Sequence, residues 1–342
     1  MPDSVILSEL PERSSADPWA LYRNEQLAGR RGRVDRDGFY VGMLKSDIRN
    51  QRYAYDVSVL PECIDPAMAS KALFTLLNDF SQHEYDRNPI GPIISFVDVL
   101  LDESVRSGGM LTELSAIAGE MDEGSSLRSR SSAALSLEAG RWPSLAYIPR
   151  WSVAKVRGEI LQAGADSASA RVRIPRERIR PVKLRRANRA KWRRAIKGLR
   201  RIDDRELFGE ERLAWDGYLF SNHVATQELA VAATTAPIGW DARGTFEKTV
   251  TSPYMAYRRL GFAKFWVEVI DDSVDFLNSI TRDRSIFGDD AFGFSVVGLP
   301  SSSELSAAMG DLRNGLLTVE RAHNMFMYPK YAKRREDPAE NN

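Results

Sequence analysis

"SPYMAYRRLGFAKFWVEVIDDSVDFLNSIT", Ser252 to Thr281, is the stretch whose reading decides the fold class of this chain. Serine followed by proline predicts a helix start, with Ser252 as the cap and Pro253 at the first helical position, where a missing backbone N–H costs nothing. Met255, Tyr257, Leu260, Phe262, Phe265, Trp266, Val269 and Ile270 then leave little polar face. Such a helix must be buried in the molecule or between subunits. For a contact between subunits the candidate residues are Tyr254, Tyr257, Phe262, Phe265 and Trp266.

Downstream, Phe287-Gly288 reads as a break and FGFSVVGLP (292–300) as a strand. SSSELSAAMGDLRNGL reads as a serine-capped helix and MFMYP (325–329) as a short strand. Upstream lies a segment of a different kind, IPRERIRPVKLRRANRAKWRRAIKGLRR (174–201), with thirteen Lys or Arg against the single acid Glu177. The chain as a whole has 48 Lys and Arg and 47 Asp and Glu, so 35 cations face 46 acids outside this segment. That asymmetry predicts a polyanion partner, or another copy whose acidic surface meets the basic one. Pro181 is read as opening a helix with a narrow apolar stripe of Leu184, Trp192, Ile196 and Leu199. Arg185, Arg186, Arg189, Lys191, Arg193, Arg194, Lys197 and Arg200 cover its other faces and are the candidate contacts to nucleic acid or to a neighbouring subunit. Contacts of this type to phosphate carry no base specificity. LAWDGYLFSNHVATQELAVAATTA (213–236) predicts a further helix, ended by Pro237-Ile238-Gly239.

The first half alternates helices and short strands. Residues 1–38 read as a polar arm. Asp65-Pro66 starts a helix carrying Met68, Ala72, Leu73, Leu76, Leu77 and Phe80 at three- and four-residue spacing. A second helix follows Gly91-Pro92, stops at Ser107-Gly108-Gly109, and gives way to a strand, MLTELSAIA. Residues 119–141 are Ser-rich and read as a surface loop, and PSLAYIP, SVAKVRGEIL and SASARVRIP as three β-runs of an antiparallel sheet. The predicted class is α+β and helix-rich, with a small mixed or antiparallel sheet and a long buried or intersubunit helix in the C-terminal half. The predicted divisions are an arm (1–38), a wing-like α+β domain (39–175), a basic helical segment (176–250), an assembly domain (251–329) and a polar tail (330–342).

No catalytic residue, metal site or cofactor is expected. There is no phosphate-binding GxxxxGK[ST] or GxGxxG, no GxSxG and no HExxH. The lone Cys63 reads as a structural thiol, and His83, His223 and His323 as scattered surface or core histidines. Acids cluster at Asp203-Asp204, at Asp271, Asp272 and Asp275, and at Asp289-Asp290. Asp271 and Asp275 lie one helical turn apart, which leaves a two-metal arrangement conceivable beside a solvated face or subunit contact. No run approaches the about 18 to 20 apolar residues of a membrane span, and the N-terminus lacks a signal-peptide layout. The expected setting is a cytoplasm, or a particle assembled there.

The order of elements resembles that of portal, or head-to-tail connector, proteins of tailed bacteriophages. SPYMAYRRLGFAKFWVEVIDDSVDFLNSI, a Phe-Gly element, FGFSVVGLP, SSSELSAAMGDLRNGL and MFMYP follow the portal order in the second half. GPIISFVDVLLDESVRSGG before MLTELSAIA, then WPSLAYIPRWSV and RIPRERI, is similar to the portal wing. The basic insertion and the little chain left for a crown before Asn342 depart from that pattern. The resemblance implies a non-enzymatic virion protein, assembled in the host cytoplasm into a homo-oligomeric ring at a capsid vertex. DNA would pass through it without sequence preference, and packaging and neck proteins would dock on it, with no membrane involved. Two rival readings are a capsid or nucleoprotein subunit of another virus that binds its genome through the Arg-rich helix, and a metal-dependent nucleic-acid-processing enzyme built on Asp271, Asp272 and Asp275.

Overall fold

The computed structural model describes residues 38–50, 56–60, 65–80, 90–118, 141–149, 152–156, 159–163, 171–209, 220–241 and 252–327. The expected arm, the Ser-rich loop, the polar tail, residues 213–219, Cys63 and His83 lie outside them. The class is α+β and helix-rich with small antiparallel sheets. The chain divides into two units, one built on Val57–Lys183 with Ser273–Ser295, the other on Leu184–Asp272 with the segment through Asp56 and the chain from Val296 onward. Residues 174–183 of the basic segment belong to the first unit, and its remainder, 184–201, lies with most of the Ser252 helix in the second.

The first unit contains β1 (Asp56–Leu60), α2 (Pro66–Leu76), α3 (Ile90–Arg106), β2 (Met110–Ala118), β3 (Arg141–Ile148), β4 (Val153–Val156), β5 (Glu159–Ala163), β6 (Arg171–Ile174) and β7 (Ile179–Val182). As expected, α2 is capped by Asp65, whose Oδ1 accepts from the Ala67 N–H, and Pro66 occupies the first turn. The end of α3 turns at Gly108 and Gly109, both at positive φ, and a Cβ at Gly109 would lie 2.6 Å from the Val182 carbonyl oxygen. Strand β2 is central in the order β3-β2-β7, antiparallel to both neighbours, with Leu114 opposite Leu145 and Met110 opposite Val182. The expected single run SVAKVRGEIL is two strands: Val156 pairs with Glu159, so β4 and β5 form a hairpin to which β6 adds. Gly158 between them was the local sign of a reversal. Phe80, Phe96 and Phe276 build the aromatic part of this core, with Phe80 edge-on to Phe96 at 5.0 Å and Phe96 stacked on Phe276 at 5.9 Å. A third, two-stranded sheet pairs β1 with β8 (Gly293–Val297). Asn278 holds β8 by its side-chain amide, which accepts from the Phe294 N–H and donates to the Phe294 carbonyl, both at 2.9 Å.

The second unit is helical. It contains α1 (Phe39–Asn50), α4 (Arg186–Gly209), α5 (Phe220–Thr235), α6 (Pro253–Thr281) as far as Asp272, and, beyond the short α7 (Arg284–Phe287), α8 (Ser302–Arg313) and α9 (Val319–Met327). The Ser252-Pro253 start of α6 and the Ser301 cap of α8 are as expected. Ser301 and Glu304 form a reciprocal capping box. Ala256, Leu260 and Val267 of α6 bury with Leu305, Ala308 and Leu312 of α8 and Ala322 of α9.

Three expectations are corrected here. Pro181 lies in β7 and does not open a helix: proline is also tolerated in an edge strand, where its missing N–H has no partner to lose. MFM belongs to α9, because Val319, Ala322 and Met325 repeat at helical spacing against α8, and a short apolar run alone does not separate strand from helix. Helix α1, not expected from the sequence pattern, is the third. Its free N-terminal N–H groups are capped from far along the chain: the Asp203 carboxylate accepts from Tyr40 N–H at 2.9 Å and Val41 N–H at 3.3 Å. Gly38 permits this approach, since a Cβ there would lie 2.3 Å from Asp203.

The end of α5 is gathered by Arg258, a buried guanidinium of α6. Nη1 donates to the Ala232 carbonyl at 2.6 Å, and Nη2 donates to Thr235 Oγ1 at 2.8 Å and to the Trp240 carbonyl. Cations suit a helix C-terminus, where the unpaired carbonyls concentrate negative charge. Between them sits Gly239 at φ 74°, and a Cβ on it would meet the Arg258 carbonyl oxygen and the Phe262 nitrogen at 2.4 Å. Gly239→Ala is expected to destabilise the protein by about 3 kcal/mol through left-handed strain and backbone collision. Gly42→Ala, in α1 with open space at its Cβ position, is expected to stabilise by about 0.5 to 1 kcal/mol. Urea denaturation of both variants checks the contrast.

Candidate nucleic-acid interface

Helix α4 is amphipathic in a particular way. Asn188, Trp192, Ala195, Ile196, Leu199, Ile202 and Asp203 form its buried stripe, preceded by buried Leu184. Trp192 stacks on Phe265 of α6 with ring centroids 6.1 Å apart and planes 16° from parallel. Towards α5, Gly198 is close enough to Thr234 that a Cβ would lie 2.2 Å from its methyl group.

The start of α4 is held by Asp272, whose side chain is almost wholly buried. One carboxylate oxygen accepts from the Arg185 backbone N–H at 2.9 Å and from Asn188 Nδ2 at 3.2 Å. The other lies 2.9 Å from Arg185 Nε. A carboxylate at this position satisfies a free N–H of the helix start and meets the positive end of the helix dipole. One turn along α6 in the N-terminal direction, Glu268 accepts from Lys191 Nζ at 3.3 Å and from the Ser302 hydroxyl at 3.2 Å, and Lys264 lies 3.8 Å from it.

These contacts sort the eight expected basic residues. Arg185 and Lys191 pair with Asp272 and Glu268. Arg189 and Arg200 are half-buried and are engaged within the chain. Arg186, Arg193, Arg194 and Lys197 are exposed, and so is Arg201, which the sequence reading left out of its candidates. Among the described residues these five have no ion-pair partner. Arg201 was legible in principle, four residues after Lys197 and eight after Arg193 on the same helix face.

The five aromatics expected at a subunit contact are also sorted. Phe265 and Trp266 are buried within the chain itself, so their burial needs no second copy. Tyr257 packs half-buried on the cluster of α6, α8 and α9, Phe262 is half-buried, and Tyr254 remains 60% exposed. Of the acidic trio, Asp271 and Asp275 are exposed, while Asp272 is engaged as described. Among the described residues no three His, Cys, Asp or Glu side chains converge as metal ligands, and no helix is long and apolar enough to cross a membrane. His323 of α9 lies with Nδ1 3.4 Å from Arg259 Nη1. Burial first, and the Arg259 charge second, hold its ring below the ordinary value of 6.5.

The chain matches no protein-family model, and no curated protein and no solved structure is significantly similar to it.

Asp272→Ala is expected to cost about 2 to 3 kcal/mol, because Asn188 and the Arg185 N–H lose their acceptor in a buried setting, discounted for the exposure of the Arg185 side chain. Asp271→Ala should change stability by less than about 0.5 kcal/mol. Urea midpoints distinguish the two. For His323, the unfolded chain binds the proton more tightly than the folded one. Its stabilising contribution is therefore full above 6.5 and is lost as pH falls through that value towards the lower folded pKa. His323→Gln should flatten that part of the stability profile, measured by urea midpoints on either side of 6.5.

Proposed function

We propose that the chain is a non-enzymatic structural protein of a virus particle, portal-like, that works as a homo-oligomeric ring through which DNA passes and on which packaging and neck proteins dock. The observation that carries the reading is the order of elements in the second half: the long helix α6 opened by Ser252-Pro253, the break at Gly288, strand β8 and the capped helix α8. The preceding helix α3, the Gly108-Gly109 turn and the antiparallel strands β2 and β3 follow the wing-like order. At the last element α9 stands where the pattern has a strand.

The mechanism on this reading is mechanical and electrostatic. A conduit must hold DNA without gripping it, so scattered phosphate contacts suit it better than base readout. Apolar groups left on the surface, Tyr254 at the start of α6, Leu229 on α5 and Leu316 after α8, are available for contacts between copies. The rival enzyme reading loses Asp272, whose carboxylate is engaged by the start of α4.

Negative-stain microscopy and light scattering of the purified full chain test the proposal. Closed rings of uniform size are expected. A monodisperse monomer would overturn the reading, and closed shells or filaments would replace it with the capsid or nucleoprotein reading.

A further inference from the structure

We infer that the exposed face of α4 is a track for double-stranded nucleic acid, held by its phosphates alone. The choice of DNA as that nucleic acid rests on the portal-like reading, whereas the track itself does not require a ring. Arg186, Arg193, Lys197 and Arg201 follow one another at seven-, four- and four-residue steps, and Arg194 flanks them. At 100° per residue all five fall within an arc of about 100°. From Arg186 to Arg201 the row extends about 22 Å at 1.5 Å per residue. That is longer than the about 12 Å width of the major groove of a DNA duplex, so a helix lying across it reaches the phosphates of both strands.

The rest of the face says what kind of partner fits. Among the described side chains its other exposed residues are Ala187 and Ala190, which let the helix approach closely, and Asp204 at the far end. No exposed aromatic side chain, and no exposed apolar one larger than alanine, stands between Arg186 and Arg201. The core of a protein–protein contact is depleted in charge and enriched in aromatic groups, the opposite of this surface. Single strands are gripped by stacking bases on aromatic rings, and Trp192 is buried against Phe265. Asn188, the amide on α4 best suited to an adenine edge, is buried on Asp272. What remains is a row of four guanidiniums and one ammonium, which neutralises phosphates and reads no sequence.

The row is displayed by a rigid support. Its helix is fixed at one end by Asp272, along its length by Trp192 on Phe265, and near the other end by Asp203 on α1. Neutralising the exposed cations therefore leaves the packing untouched.

Fluorescence anisotropy of the full chain with two unrelated DNA duplexes of equal length, and with the matching single strand, across a salt series tests the inference. The variants are R186Q/R193Q/R194Q/K197Q/R201Q and a control, R284Q/R313Q, which removes exposed charges elsewhere. Circular dichroism and thermal melts of each verify that the fold is kept. The wild type is expected to bind both duplexes equally and more tightly than the single strand. In the fivefold variant the slope of log affinity against log salt should become shallower by about 4, close to one per lost phosphate contact, while the control keeps the wild-type slope. An unchanged slope in the fivefold variant would overturn the inference, as would discrimination between the duplexes or preference for the single strand. A fivefold variant that keeps its slope but loses an oligomer formed by the wild type would assign the face to a neighbouring copy instead. Microscopy of the same samples separates the two proposals: a shallower slope without rings removes the portal-like reading and leaves the track standing.

Discussion

A single buried carboxylate, Asp272, sets the position of the most unusual helix in this chain. It accepts from the backbone N–H of Arg185, just ahead of α4, and from Asn188 inside the first turn, and it forms an ion pair with the Arg185 guanidinium. Burying a charge is costly unless hydrogen bonds and an opposite charge replace water, and here the two hydrogen bonds and the ion pair do so. From that fixed point the stack of Trp192 on Phe265 and the contact of Gly198 with Thr234 follow, and they decide which side of α4 is inward. The charge pattern of the surface is the residue of that decision: cations near α6 find Asp272 and Glu268, and those on the far side find no ion-pair partner among the described residues.

The same logic separates what could be read in the sequence from what could not. Helices α2, α6 and α8 announce themselves because their caps, Asp65, Ser252-Pro253 and Ser301 with Glu304, lie within a few residues of the helices they start. The antiparallel sheet was legible from alternation and from the Gly108-Gly109 turn. Pro181 misled because one residue type serves both a helix start and an edge strand, and the deciding fact, pairing with β2, lies about 70 residues away. The candidate site was half legible. Composition located the basic helix, but the acids that pair with Arg185 and Lys191 stand 87 and 77 residues further on. No local pattern distinguishes a guanidinium that meets a buried acid from one that meets solvent.

Arg258 shows a different use of the same side chain. On α4 the guanidiniums of Arg186, Arg193, Arg194 and Arg201 are exposed and have no ion-pair partner among the described residues. On α6 one is buried at the end of α5, where it donates to the Ala232 and Trp240 carbonyls and to Thr235 Oγ1, and its role is to close the turn that Gly239 makes possible. Arginine count alone therefore overstates the polyanion-binding capacity of this chain, and the exposed subset on one helix face is the better measure.

The capping of α1 by Asp203 has a consequence in time. The two partners are separated by 163 residues, so during synthesis the α1 segment leaves the ribosome long before its cap exists. At about 5 to 20 residues per second that interval is roughly 8 to 30 s. Through it, a segment bearing Val41, Leu44 and Ile48, all destined for the core, has neither its cap nor its packing partner. The N-terminal helix of the described chain thus cannot settle on its cap until α4 has been made, and its stability during biogenesis depends on how quickly α4 follows.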